Sequence, residues 1–295
     1  MTADFSGLSV ALATPFTDSG EVDFKAFRAL VRHVAEGGAD VLVVLGSTGE
    51  AATITESERD PLITACLEEA RGKKVVAGTG HNATRQTVAW TKRAQELGVD
   101  GVLIVTPFYN KPTPQGLVAH FSAAADAAPG LPFIVYNVPG RTGLNLTPAA
   151  LQLLWQNPQV VAVKESSGNV AQISEIARTL PAGKTLLSGD DNLALASIAV
   201  GADGLVSVLG NLAPKETKAL VDAARAGRRD EAVALNNRLL PLIDALFVES
   251  NPIPLKAGLQ MIGLGGDTLR LPLQAATEAT RTRLREALVS AGIHV

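Results

Sequence analysis

Val160-Val161-Ala162-Val163-Lys164-Glu165-Ser166 opens with four apolar residues and closes on three polar ones, with no alternation between them. A strand with one face in water would alternate; a continuous β-branched run is the pattern of a parallel strand covered on both faces. Similar runs occupy Leu8–Ala13, Val41–Leu45, Lys74–Ala77, Val102–Val105, Phe133–Tyr136, Thr185–Leu187 and Leu205–Val208. The intervening stretches have helical spacing near 23–37, 55–71, 84–97, 114–128, 147–156, 169–180, 191–200 and 213–226. Thr55-Glu56-Ser57-Glu58 has capping-box spacing and Thr147-Pro148 puts proline at a first helical position. Gly37-Gly38, Gly72 and Gly98 stand where helices should stop.

Eight strands, each followed by a helix, predict an α/β fold of the (β/α)8 TIM-barrel type. A doubly wound open sheet is the alternative. A solenoid is disfavoured because no residue motif recurs in register. After residue 226 strand signals stop, and 228–247, 252–263 and 273–291 read as helices. The expected organisation is a catalytic barrel over 1–226 and a C-terminal helical domain over 227–295. No low-complexity linker divides them, so they should pack as one body.

Composition narrows the function. The 295 residues are 46% hydrophobic but only 4% aromatic, so the core must be built from Ala, Val, Leu and Ile. A net charge of −3, well mixed along the chain, argues against nucleic-acid or polybasic membrane partners. The single cysteine, Cys66, excludes a disulfide framework and a cysteine-rich zinc site. No apolar run approaches the ~20 residues of a membrane span. Met1–Phe5 lacks the features of a signal peptide, so the cytoplasm is the expected compartment.

In a barrel of this kind, chemistry gathers where strands end. Lys164 closes its run, so its ammonium should lie at an apolar barrel mouth, whereas Lys73, Lys74 and Lys184 precede strands. An amine in such a place favours its neutral form, the nucleophile of Schiff-base chemistry. Pairing with Glu165 or Asp190 is the structural alternative. The only tyrosines, Tyr109 and Tyr136, both fall at strand ends before asparagine, where a hydroxyl could shuttle protons or merely reach water. Gly46-Ser47-Thr48-Gly49-Glu50 offers hydroxyls and N–H groups to an anion, or is a plain turn. Arg141, on the turn-forming Pro139–Gly143, could clamp a carboxylate or stand in solvent. Asp190-Asp191 is read as capping the next helix in preference to binding metal. His33, His81, His120 and His294 lack ligand spacing, and Cys66 reads as a small core residue.

Taken together, Gly46–Glu50, Thr106–Pro112, Tyr136–Gly143, Val163–Asn169, Ser188–Asp191 and Asn251–Lys256 resemble, in order and over nearly the whole chain, the motifs of the dihydrodipicolinate synthase family. The resemblance implies a cofactor-free, metal-free Schiff-base lyase. It would condense pyruvate with L-aspartate 4-semialdehyde to 4-hydroxy-tetrahydrodipicolinate, in the diaminopimelate route to lysine. By position, Lys164 would form the pyruvate imine and Tyr136 act as general acid/base. Ser47 and Tyr109 would complete a hydroxyl relay, Tyr109 entering from a neighbouring subunit of a homotetramer built as a dimer of dimers. Thr48, the main chain near Val206 and Gly189 would bind pyruvate, and Arg141 the carboxylate of the semialdehyde.

Two departures stand out. The family commonly has threonine where Ser47 stands, and Gly-Ser-Thr-Gly-Glu is also typical of N-acetylneuraminate lyases; Arg141 favours the synthase. A same-fold aldolase acting on a keto sugar acid is the alternative, and a non-catalytic metabolite-binding protein a more remote one. The second departure concerns feedback by lysine. Asn82 is kept, but Phe108 lacks the tyrosine hydroxyl of inhibited members, and Ala51, Glu56 and Arg59 replace their polar or histidine residues. Weak or absent inhibition is expected.

Overall fold

The computed structural model describes residues 4–295; Met1, Thr2 and Ala3 of the amino-terminal segment read above lie outside the described residues. Eight parallel strands close in chain order: β1 (Gly7–Ala11), β2 (Val41–Val44), β3 (Lys74–Gly78), β4 (Gly101–Val105), β5 (Phe133–Asn137), β6 (Val160–Glu165), β7 (Thr185–Ser188) and β8 (Gly204–Ser207). The seam pairs Gly7 with Gly204 through Val10 with Ser207, which excludes the open sheet. It needs glycine there: a Cβ on Gly204 would lie 2.1 Å from the Gly7 carbonyl oxygen.

Around the barrel run α1 (Phe24–Glu36), α2 (Glu56–Glu69), α3 (Thr84–Leu97), α4 (Pro114–Ala127), α5 (Pro139–Thr142), α6 (Pro148–Leu154), α7 (Val170–Arg178), α8 (Ala194–Ala199) and α9 (Pro214–Arg225). Then follow α10 (Arg229–Leu246), α11 (Ile253–Met261) and α12 (Glu278–Ser290). The capping box at Thr55 is present, with the Glu58 carboxylate accepting from the Thr55 N–H at 2.8 Å.

The strand runs lack alternation because each strand feeds two apolar cores. Leu42 and Val44 point outward under the helices, while Val41 and Val43 point into the barrel beside Val76, Leu103, Ile134 and Leu187. Each such side chain contributes about 1.5–3 kcal/mol when fully buried.

The turn-forming Pro139–Thr142 is one helical turn, opened by Pro139 and stopped by Gly143 at φ 71°. Two predicted helices are revised. Residues 191–200 divide into a 3-10 turn, Asp191–Leu193, and α8. The last helix starts at Glu278, not 273, because the Thr277 hydroxyl accepts from the Thr280 N–H and caps it. Among the described residues no helix is long and apolar enough to cross a membrane.

Candidate active site

The position of Lys164 is decided by one irregularity. Phe133 pairs with Val160 but Ile134 pairs with Ala162, so Val161 is an extra residue in β6. The bulge resets the in–out alternation, and Lys164 points inward as the register partner of Tyr136. Lys164 therefore lies within β6, one residue before its end, not beyond the strand. Its Nζ stands 4.1 Å from the Tyr136 ring centroid, and the residue is only 6% exposed.

Glu165, turned the other way, is committed elsewhere. Its carboxylate accepts from the Ser167 N–H at 2.7 Å and from Asn137 Nδ2 at 2.9 Å, tying β6 to β5. Asp190 is half-buried near Lys164, and desolvation pushes its carboxyl up to about 6 against the pull of the ammonium. Asp191 does not cap the helix that follows it, as the sequence suggested. Its carboxylate instead accepts from the Val208 N–H at 2.8 Å, the Leu209 N–H at 3.3 Å and the Ser207 hydroxyl, holding the turn after β8. Burial raises its carboxyl as well.

The turn after β2 is the most constrained backbone nearby. Leu45 has φ 59° and Glu50 φ 53°, flanking the 3-10 turn Ser47–Gly49. Left-handed geometry at a non-glycine residue costs roughly 1–2 kcal/mol, so the surroundings must enforce it. Gly49 O accepts from the Thr14 hydroxyl at 2.8 Å, and Thr48 Oγ1 accepts from Asn251 Nδ2 at 3.0 Å. Glu50 is ion-paired with Lys256 and accepts from the Arg270 N–H at 3.1 Å.

A cavity of about 590 Å³ opens above these groups, with Ser47, Tyr136, Arg141 and Asn251 on its wall. Thr48, Lys164, Gly189 and Val206 are not on that wall; Thr48, Lys164 and Val206 are buried, and Val206 belongs to the barrel interior. Arg141 is placed by α5, and its Nη2 donates to Asn251 O at 3.0 Å. Tyr109 is not brought to the cavity: it is 88% exposed, with φ 71°.

The outer wall carries Ala51, Arg59, His81, Trp90 and Phe108. Arg59 stacks 3.7 Å above the Trp90 ring and donates to Gly78 O at 2.6 Å, and burial pushes its guanidinium down to about 10. Glu56 lies beyond, accepting from Trp90 Nε1 at 2.9 Å, and Asn82 O accepts from Asn110 Nδ2 at 3.0 Å.

Sequence reasoning missed Asn251, Lys256 and Glu50 as site residues, although it quoted the segments containing them. A lysine inside the apolar stretch Ile253–Leu259 was the available signal of a buried partner.

The fold and these residues have close parallels. The model of the dihydrodipicolinate synthetase family matches residues 4–291. A 4-hydroxy-tetrahydrodipicolinate synthase of Maridesulfovibrio salexigens is 44% identical over 98% of this chain and 99% of its own length. The relative of the same name from Cyanothece is 43% identical, over 97% and 98%. Among solved structures, dihydrodipicolinate synthase from Cyanidioschyzon merolae with lysine bound superposes with a TM-score of 0.95 at 41% identity, covering 98% of this chain and 99% of that one. The chloride-inhibited synthase of Acinetobacter baumannii, complexed with pyruvate, gives 0.95 at 40% identity, covering 98% and 100%. The chain belongs to the dihydrodipicolinate synthetase family.

Proposed function

We propose that this enzyme condenses pyruvate with L-aspartate 4-semialdehyde to 4-hydroxy-tetrahydrodipicolinate, on the diaminopimelate route to lysine, with Lys164 as the amine that forms the imine. The observation that carries the assignment of Lys164 is its inward, register-matched approach to Tyr136 at the barrel mouth. The names of the relatives and the pyruvate complex of the Acinetobacter enzyme support the substrates.

In this scheme the Ser47–Glu50 turn receives the pyruvate carboxylate on the Thr48 hydroxyl and backbone N–H groups, assisted by the main chain near Val206 and Gly189. Lys164 Nζ adds to the keto carbon, and loss of water gives the imine. Tyr136 moves the protons of addition and dehydration, with Ser47 next in the relay. The protonated imine draws electrons from the methyl C–H bond, whose proton passes to the Tyr136 relay. The resulting enamine forms the new C–C bond to the aldehyde carbon, and the aldehyde oxygen takes up a proton from the same relay to become the hydroxyl. Arg141 holds the second carboxylate. Attack by the semialdehyde's own amine on the imine carbon then closes the ring and frees Lys164.

Tyr109 is proposed to complete the relay of a neighbouring copy, in a dimer within a homotetramer; its exposure and fixed left-handed backbone support that reading. Residues 1–226 would carry the chemistry and 227–295 brace it. A cytoplasmic setting is consistent with the single, buried cysteine. The keto-sugar-acid aldolase reading has Ser47 in its favour, but Arg141 on the cavity wall supplies a carboxylate clamp that a polyol tail does not use.

The test is pyruvate consumption with L-aspartate 4-semialdehyde, coupled to the NADPH-dependent reductase. NADPH loss that requires both substrates is expected, and pyruvate with borohydride should label wild type but not Lys164→Ala. Labelling of Lys164→Ala would reassign the nucleophile. Labelling of wild type without turnover would move the enzyme to the aldolase branch.

A further inference from the structure

The pyruvate turn is held from the far end of the chain. Asn251 and Lys256 sit one at the approach to α11 and one within it, and they reach the middle and the end of the Ser47–Glu50 turn. Asn251 Nδ2 donates to Thr48 Oγ1 at 3.0 Å, across 203 residues of sequence. Lys256 Nζ is ion-paired with Glu50, donates to Thr268 O at 2.8 Å and lies 3.8 Å from the centroid of the Phe16 ring. Lys256 is completely buried and Glu50 nearly so.

We infer that Asn251 and Lys256 are positioning residues for the pyruvate carboxylate, acting through Thr48 and Glu50. The inference rests on the role proposed above for the Ser47–Glu50 turn.

Each contact has a definite chemical consequence. A threonine hydroxyl whose oxygen already accepts from an amide N–H keeps its own proton free to donate, so Asn251 fixes Thr48 as a donor. The Asn251 backbone carbonyl also accepts from Arg141, so one residue sets the spacing between the groups proposed to bind the two substrate carboxylates. Glu50 poses the opposite problem: it is an acid two residues from Thr48, in a turn that must receive an anion. Lys256 cancels that charge, and with the Arg270 N–H it locks the left-handed Glu50 backbone that ends the turn. In the low-dielectric interior an uncancelled carboxylate would repel pyruvate strongly.

The experiment measures half-saturation by pyruvate in borohydride trapping and in steady state. It compares wild type, Asn251→Leu, Lys256→Met and the double change Glu50→Gln with Lys256→Met. Asn251→Leu keeps the volume and should raise pyruvate KM about tenfold, the equivalent of one good hydrogen bond. Its kcat at saturation should stay within about threefold. In a Thr48→Val background the same change should have no further effect, because its partner is gone. Lys256→Met should raise pyruvate KM at least about tenfold, and neutralising Glu50 as well should recover most of the loss.

An unchanged pyruvate KM in Asn251→Leu, or an equal loss with and without the Thr48 hydroxyl, would overturn the role of Asn251. A double change no better than Lys256→Met alone would overturn the charge-cancelling role of Lys256. If Lys256→Met does not fold, recovery of folding without recovery of pyruvate KM in the double change counts against it too. Wild type that traps no pyruvate fails at the earlier step and refutes the functional assignment itself, so the two failures are distinct.

Discussion

Gly189 lies directly against the aliphatic stem of Lys164: a Cβ built at position 189 would be 2.7 Å from Lys164 Cε and 3.1 Å from Cγ. The same Cβ would be 1.9 Å from the Ser166 hydroxyl oxygen. No φ above zero is demanded at Gly189, so space alone excludes a side chain.

Gly189→Ala should therefore displace the lysine stem without breaking the barrel. A shift of about 1 Å at a reacting group costs on the order of a hundredfold in rate, and that is the loss expected in imine formation. Circular dichroism should match wild type. Retention of full borohydride labelling at wild-type rate would show that the stem can relax away from the clash.

Arg141 is expected to divide the two half-reactions. It stands exposed on the cavity wall with Asn251 O as its hydrogen-bond partner, whereas Lys164 is buried off that wall. Arg141→Ala should lower kcat/KM for the semialdehyde by roughly 10–10², as for loss of a charge-assisted hydrogen-bond pair. Pyruvate trapping should change by less than about threefold. Equal losses in both would make Arg141 a structural residue of α5.

The barrel was legible because parallel strands between two apolar cores leave continuous runs, and Val41–Val44 shows both faces in four residues. Strand ends were less legible. Whether Lys164 or Glu165 faces inward depends on the bulge at Val161, which no local pattern announces. Long-range contacts were invisible for a related reason: Thr48 with Asn251 and Glu50 with Lys256 join segments some 200 residues apart, and no periodicity in either segment encodes the partner. Tyr109 was legible as a tyrosine at a strand end, but its exposure belongs to the loop conformation. Arg141 was read on a turn because Pro139-Gly140 and Gly143 are breakers; the single helical turn between them exploits proline at its start and glycine at its stop.

Feedback by lysine should be weak or absent. The outer wall presents the buried Arg59 guanidinium, 4% exposed and stacked on Trp90, where a second cation would be repelled. Phe108 packs edge-on against His81 and brings no hydroxyl. Calorimetric titration with L-lysine should give no saturable binding below about 1 mM. A dissociation constant below that value, with matching inhibition, would show that the wall accommodates an ammonium despite Arg59.

His120 should make stability depend on pH in a defined window. It is buried on α4 with Nδ1 bonded to the Thr84 hydroxyl at 3.0 Å, and burial pushes its pKa down to about 4. The unfolded chain takes up this proton near pH 6.5, whereas the folded chain does not until about 4. Between those values the unfolded state binds more protons, so the contribution is fully present above pH 6.5 and is lost as pH falls toward 4. The full effect is on the order of 3 kcal/mol. Other groups titrate in the same range, so the informative quantity is the difference between wild type and His120→Leu in urea unfolding at pH 7.5 and 4.5. Wild type should lose more stability than the variant over that interval, because leucine has no proton to take up. Two profiles that fall in parallel would mean that the acid sensitivity of the fold arises elsewhere.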